Sequence, residues 1–261
     1  MTPSPKITVV ADRAVQSGPL RLTLAGGSCV GNRYAANFDV LHVDDRLAFI
    51  AVVDGMGDGA GSAAAGRTTM DVVVPGVRRA AVEPGGLVGA ATLRGVVAEA
   101  QRQVIAAGAE LGMLTGCTLT ALVGDAESAW IVQLGDSRAY RRRAGLLELL
   151  TVDHTMAWLG AVNGWYPPDS PAALAARYQL TRYLGHHGAP EPDLLAVTLR
   201  AGDTYCLVTD GVAEQVDHHR LDTWLTSAAP PGEIAAGVLA DTLAAGGDDD
   251  ATIAVLRVAA A

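Results

Sequence analysis

The stretch Leu47-Ala48-Phe49-Ile50-Ala51-Val52-Val53-Asp54-Gly55-Met56-Gly57-Asp58-Gly59 decides how this chain folds. Leu47 to Val53 is apolar at every position, not at alternate ones, so a strand formed here must be covered on both faces. It ends on an aspartate set among glycines, which free the backbone for a tight turn. Further strand candidates are Ile7 to Val10, Leu20 to Ala25, Asp39 to Val43, Thr118 to Val123, Ala129 to Leu134, Ala139 to Arg143, Leu194 to Leu199, Thr204 to Val208 and Thr252 to Val258. Most are bounded by glycine, aspartate or proline. Helical patterns cover Ala60 to Ala81, with a break expected near Pro75, and Gly86 to Leu111. A third runs from Pro231 to Ala245, where Ile234, Val238, Leu239 and Leu243 share one face and Pro231 suits the first turn. Two long consecutive helices in a β-rich pattern predict an α+β fold, a central antiparallel β-sandwich flanked by helices in αββα layers.

No repeat or long linker interrupts residues 1–261, which read as a single domain. The least regular part is Asn163 to Ala189, with Pro167, Pro168 and Pro171, so a flap-like surface excursion is expected over about residues 155–190, with a short helix at Pro171 to Tyr183. No segment is long and apolar enough to span a bilayer, and the N-terminal ten residues lack the apolar core of a secretory signal. Three single cysteines, Cys29, Cys117 and Cys206, suggest reduced structural thiols and a cytoplasmic setting. A formal charge of −9 argues against a nucleic-acid partner. The one basic run, Arg138 to Arg143, reads as alternate solvated positions on a hairpin strand beside Tyr140, or as a rim that attracts an anionic substrate.

Aspartates recur at the ends of the apolar strands, in Asn37-Phe38-Asp39, Asp54-Gly55, Gly135-Asp136-Ser137-Arg138, Thr209-Asp210-Gly211 and Asp249-Asp250-Ala251-Thr252. In an antiparallel sheet the end of one strand lies beside the start of its neighbour, so these acids can meet along one edge. Like charges so gathered raise one another's pKa, a conflict that hard divalent cations with oxygen ligands resolve. Taken singly, each Asp-Gly pair is also an ordinary turn. His154 reads as a structural imidazole at a strand exit, and His186-His187 and His218-His219 as exposed loop pairs lacking a third ligand.

Taken in order, these segments resemble the type-2C, metal-dependent (PPM) serine/threonine protein phosphatase family, bacterial type. Gly116-Cys117-Thr118, Gly135 to Tyr140, Leu150 to His154 and Leu180-Thr181-Arg182-Tyr183-Leu184-Gly185 complete the series, and the likeness covers Gly26 to Val258. The resemblance implies hydrolysis of phosphoserine and phosphothreonine in a phosphoprotein with Mn²⁺ or Mg²⁺, through a water activated by two cations. On the matching positions, Asp54 would bridge two ions, the Gly55 carbonyl would ligate one, and Asp210 and Asp249 would complete the first site. Asp39 would serve the second site, Asp136 would help hold a third, weaker ion, and Arg33 would clamp the phosphate. Partners implied are a kinase target or a sigma-factor regulator, without nucleic acid or membrane.

Two departures stand out. Three residues separate Arg33 from Asn37 where bacterial members have two, and Phe38 replaces their glutamate. They motivate an alternative, a catalytically weak or silent module that binds phosphoproteins through the same surface. An unrelated two-metal phosphodiesterase is a third reading, although such sites usually include histidine and no histidine adjoins the key acids.

Overall fold

The computed structural model describes residues 7–82, 88–125 and 128–261. The expected helix start at Gly86 and the N-terminal residues Met1 to Lys6 lie outside them. One sheet contains β1 (Thr8–Ser17), β2 (Leu20–Cys29), β7 (Arg138–Arg143), β8 (Leu146–Leu149), β10 (Thr204–Val208) and β11 (Ala251–Ala260). The other contains β3 (Val40–Val43), β4 (Ala48–Val53), β5 (Leu119–Asp125), β6 (Ser128–Leu134) and β9 (Asp193–Thr198). Their orders are β1-β2-β11-β10-β7-β8 and β3-β4-β5-β6-β9, antiparallel throughout. The helices are α1 (Ala60–Val82), α2 (Ala90–Leu111), α3 (Met156–Asn163), α4 (Pro171–Ala176), α5 (Asp210–Ala213), α6 (His218–Thr226) and α7 (Pro231–Ala245).

The continuous apolarity of β4 has the two-sided cause its sequence requires. Phe49, Ala51 and Val53 pack against Val73, Val77, Val97 and Val104 of α1 and α2. Ile50 and Val52 turn the other way, into the seam between the sheets, with Leu22, Leu24, Tyr205, Leu207 and Leu256. On the far side, Val208, Ile253 and Val255 meet Ile234, Val238 and Leu239 of α7 and Leu221 and Leu225 of α6. The layers are therefore helix, sheet, sheet, helix. Burying each large apolar side chain in such a seam contributes about 1.5–3 kcal/mol before conformational entropy is subtracted.

Several sequence expectations need correction. Helix α1 continues through Pro75. Proline removes one backbone hydrogen bond there, but Met70, Val73 and Val77 on either side are buried against neighbouring structure, and that packing outweighs the local defect. Strand β8 and helices α5 and α6 lie where the sequence pattern predicts no regular element, Asp210-Gly211 opening a short helix and not only a turn. In the flap, Thr155 caps an unanticipated α3 by accepting from Trp158 N–H, and Ser170 caps α4 in the same way through Ala173 N–H. The helix expected to reach Tyr183 stops at Ala176, because the chain beyond it is drawn into extended pairing, Leu180 with Thr155 and Leu184 with Cys117.

Candidate active site

Strand register brings the aspartates to one end of the sandwich. Val53, the last residue of β4, pairs with Val40 at the start of β3, so Asp54 and Asp39 are neighbours. Val208 at the end of β10 pairs with Ile253 on one side and Arg138 on the other, which sets Asp210 between the Asp249–Asp250 turn and the β6–β7 turn that carries Asp136. Asp54, Gly55, Asp136, Asp210 and Asp249 line one cleft of about 290 Å³. It adjoins a second hollow of about 320 Å³ that shares Asp136 and Asp210 and is walled by the flap, including Trp158 and Arg177. Asp39 lies behind the cleft lining, its Oδ2 accepting from Thr209 Oγ1 at 2.9 Å.

These carboxyls resist ionisation. Burial, then the charges of Asp210 and Asp39, pushes Asp54 well above the usual carboxylate range. Burial likewise raises Asp39 and Asp136 strongly, with Asp210 adding to both. Asp210 is pushed up to about 6, chiefly by burial, with hydrogen bonding to Asp54 opposing the shift. Its Oδ1 atom is buried without any hydrogen-bond partner. A carboxylate oxygen with no proton donor, among other carboxylates and with the Gly55 backbone at hand, fits a hard divalent cation, which prefers all-oxygen ligands. Among the described residues no three His, Cys, Asp or Glu side chains are already closed into a chelate.

Neighbouring polar groups fix the backbone beneath the acids. Asp54 N–H donates to Thr118 Oγ1 at 3.0 Å, and Thr118 Oγ1 lies 2.8 Å from Ser137 Oγ. Asp250 accepts the N–H groups of Gly31 at 2.9 Å and Phe38 at 2.7 Å, latching the loop that carries Arg33 onto the start of β11. Phe38 thus contributes its backbone here, while its ring meets Tyr34 edge to face. Thr118, Thr209 and Asp250 stand inside the motifs quoted above without a role assigned to them there, and the cleft-lining Tyr34 and Tyr178 lie outside those motifs. Only the short spacing of Thr118 and Thr209 from strand ends could have pointed to them.

Other expectations fare differently. Arg33 does not line the cleft; it sits at the exposed rim, ion-paired to Asp248 at 3.1 Å and close enough to Asp249 to offset part of the burial that raises that acid's pKa. The Arg138 to Arg143 run is neither freely solvated nor a free basic rim. Arg138 pairs with Asp153, Arg141 with Glu148, Arg142 with Asp222 and Arg143 with Asp203, at 2.6 to 3.2 Å, because hydrogen-bonded partners stand opposite each guanidinium. His154 is buried, as a structural imidazole should be. His218 and His219 open helix α6 and so are not loop residues, Asp217 capping that helix by accepting from Arg220 N–H. The three cysteines are free and buried.

A Cβ on Gly211 would lie 2.0 Å from the Asp250 carbonyl oxygen, which is backbone and cannot rotate away. Gly211→Ala should therefore force the Asp210 turn off the Asp249–Asp250 turn, costing about 1–3 kcal/mol of stability. Urea unfolding would read the change, and a midpoint equal to that of the wild-type protein would show that the two turns are not in rigid contact.

Residues 35–244 match the protein phosphatase 2C family. The chain is 32% identical over 247 residues to the serine/threonine protein phosphatase PstP of Mycobacterium tuberculosis, covering 92% of this chain and 45% of that protein. It thus spans less than half the length of this curated relative. The crystal structure of the catalytic domain of PstP in complex with two manganese ions superposes with a TM-score of 0.77 at 29% identity, over 92% of this chain and 99% of that one. The phosphatase MsPP from Mycobacterium smegmatis, solved in complex with cacodylate, gives a TM-score of 0.75 at 26% identity, over 90% and 97% of the two chains. The chain belongs to the protein phosphatase 2C family.

Proposed function

We propose that this chain is the catalytic domain of a serine/threonine protein phosphatase that hydrolyses phosphoserine and phosphothreonine with Mn²⁺ or Mg²⁺. The observation that carries the reading is the meeting of Asp54, Asp136, Asp210 and Asp249 in one cleft, with Asp210 Oδ1 buried and unpartnered. Asp54, Asp210, Asp249 and the Gly55 carbonyl would hold the first cation, Asp54 and Asp39 a second, and Asp136 would contribute to a third. When bound, divalent cations acidify a water nucleophile and neutralise charge on the phosphoryl oxygens. Asp54 and Asp210, both raised in pKa chiefly by burial, must be deprotonated to ligate a cation.

No covalent phosphoenzyme is needed, in keeping with three cysteines that are buried and, by that burial, raised in pKa. The continuation of the cleft beneath the flap, beside Trp158 and Arg177, offers room for the polypeptide around the phosphorylated residue. That residue would belong to a kinase target or a sigma-factor regulator in the cytoplasm, and phosphosites lost from a phosphorylated extract identify which.

The deciding experiment is hydrolysis of p-nitrophenyl phosphate and of a phosphothreonine peptide with Mn²⁺ and with EDTA. Turnover of both with Mn²⁺ alone is expected. Binding of the peptide without turnover would favour the silent phosphoprotein-binding module, a reading that the pairing of Arg33 with Asp248 supports. Faster hydrolysis of a bis-ester would turn the assignment to a phosphodiesterase.

For Arg33 to reach the phosphate it must exchange Asp248 for the substrate, a swap at the solvent-exposed rim that costs little. Arg33→Ala should then raise KM for the phosphopeptide by about tenfold while kcat changes less, because a clamp on the non-reacting oxygens acts in ground and transition states alike. An unchanged KM would remove Arg33 from the site.

A further inference from the structure

Gly135 opens the turn that carries Asp136; both of its backbone polar groups meet His154, and its carbonyl also accepts from Gln133 Nε2 at 3.2 Å. Its N–H donates to His154 Nδ1 at 3.1 Å, and its carbonyl accepts from His154 N–H at 3.0 Å. Because Nδ1 is an acceptor, the neutral imidazole must carry its proton on Nε2. That proton goes to Asp193 Oδ2 at 3.0 Å, while Asp193 Oδ1 is held by Arg182 Nη1 at 2.8 Å. The Arg182 guanidinium also lies 3.0 Å from Nε2, but with the Nε2 lone pair protonated it has nothing there to donate to, and Asp193 is its partner.

The turn itself has little freedom. Gly135 has φ +107, and a Cβ there would lie 2.5 Å from Thr118 Cγ2, so the peptide rests directly on the residue whose hydroxyl receives Asp54 N–H. From Asp193 through His154 and Gly135 to Asp136 the contacts are continuous, and they join β9 to the acid cluster. His154 also ties this corner to the base of the flap, its carbonyl accepting from Thr181 N–H at 2.8 Å.

We propose that His154 is a positioning residue for Asp136, its ring accepting the Gly135 N–H while its backbone N–H holds the Gly135 carbonyl, so that the Asp136 carboxylate is presented to the cleft. The inference rests on the reading of Asp136 given above. His154 touches neither the phosphate nor the other cleft acids; it acts through the Gly135 peptide, with Asp193 fixing the tautomer that leaves Nδ1 free to accept.

The test compares His154→Asn with His154→Gln, each alone and combined with Asp136→Asn. An Asn amide oxygen sits near the place of Nδ1 and can accept Gly135 N–H; a Gln amide reaches toward Asp193 and leaves Gly135 N–H unmet. In the metal-free protein, hydrogen exchange at the Gly135 amide, read by NMR, should be about tenfold faster than wild type in the Gln variant and within about threefold in the Asn variant. With Mn²⁺, kcat on p-nitrophenyl phosphate should fall about tenfold in the Gln variant and about threefold or less in the Asn variant, and the Gln change should add almost nothing once Asp136→Asn is present.

Equal exchange in the two variants overturns the proposal. So does a Gln effect on kcat that persists undiminished in the Asp136→Asn background, which would make His154 a general scaffold residue. Failure of both single variants to fold would assign His154 to stability alone and likewise overturn it. A wild-type protein without Mn²⁺-dependent turnover would sink the phosphatase reading instead, while the exchange measurements still decide whether His154 grips the turn.

Discussion

Asp54→Asn, Asp210→Asn and Asp249→Asn should each lower turnover of a phosphothreonine peptide by about two orders of magnitude or more, since on the proposed assignment each removes a ligand and with it several kcal/mol of charge stabilisation. The effect on folding should run in the opposite direction for Asp54. In the metal-free protein Asp54 is half-buried beside Asp210 and Asp39, and its ionisation is opposed by desolvation first and then by both of those acids. Replacing it with an amide of the same shape removes that repulsion while keeping a donor for Asp210. Metal-free Asp54→Asn should therefore melt at or above the wild-type temperature while being almost inactive. Calorimetric melting with EDTA, set beside steady-state kinetics with Mn²⁺, reads both quantities. Retained activity in Asp54→Asn would falsify the ligand assignment, and a large drop in melting temperature would show that the carboxylate is needed for the fold.

Chelation should abolish turnover, Mn²⁺ should restore it, and the same treatment should invert the pH dependence of stability. The folded-state pKa of Asp210 is about 6, above its unfolded value of 3.8. The folded protein therefore binds the proton more tightly, and stability falls as pH rises between those two values, with the full loss present above about 6. From pH 5 to pH 7.5, Asp210 alone contributes a loss on the order of 1 kcal/mol, or about 2–4 °C of melting temperature for a chain of this size. Asp54, Asp39 and Asp136, all raised chiefly by burial, add to it. With Mn²⁺ the order should reverse, because ligation requires deprotonated carboxylates and strengthens as pH rises. Melting curves at the two pH values, with EDTA and with Mn²⁺, would decide. Metal-free protein that is more stable at pH 7.5 than at pH 5 would mean that the cleft acids ionise without strain.

The sequence made the layers legible wherever a strand had no polar face. The unbroken run of β4 announces two covered faces, and both are found. The local cost of Pro75 is visible in sequence, whereas the packing of Met70, Val73 and Val77 that carries α1 through it is not. Helix α6 opens with His218, His219 and Arg220, a polar start that looks like a loop until Asp217 is seen to cap it. At the site, acids at strand ends could be placed together from pairing alone. Arg33 could not be placed, since its partner Asp248 lies in a distant turn and only the latch of Asp250 on Gly31 and Phe38 brings the two loops together. The grip of His154 on Gly135 depends on contacts across 19 and 39 residues, which no local pattern carries.

The pairing of every arginine in the β7 run with an acid has a kinetic consequence. Those four cations cast almost no net field, so the approach to the cleft is governed by a formal charge of −9 that the loaded cations offset only in part. A phosphorylated, acidic substrate then drifts toward a surface of its own sign, and encounter is slowed by repulsion that extends roughly 10 Å at 0.1 M salt. Adding an inert monovalent salt should raise kcat/KM on an anionic phosphopeptide, leave kcat nearly constant, and have little influence on a peptide whose flanking residues are basic enough to cancel its phosphate. A fall in kcat/KM with salt on the anionic peptide would mean that loaded cations reverse the field well beyond the cleft mouth.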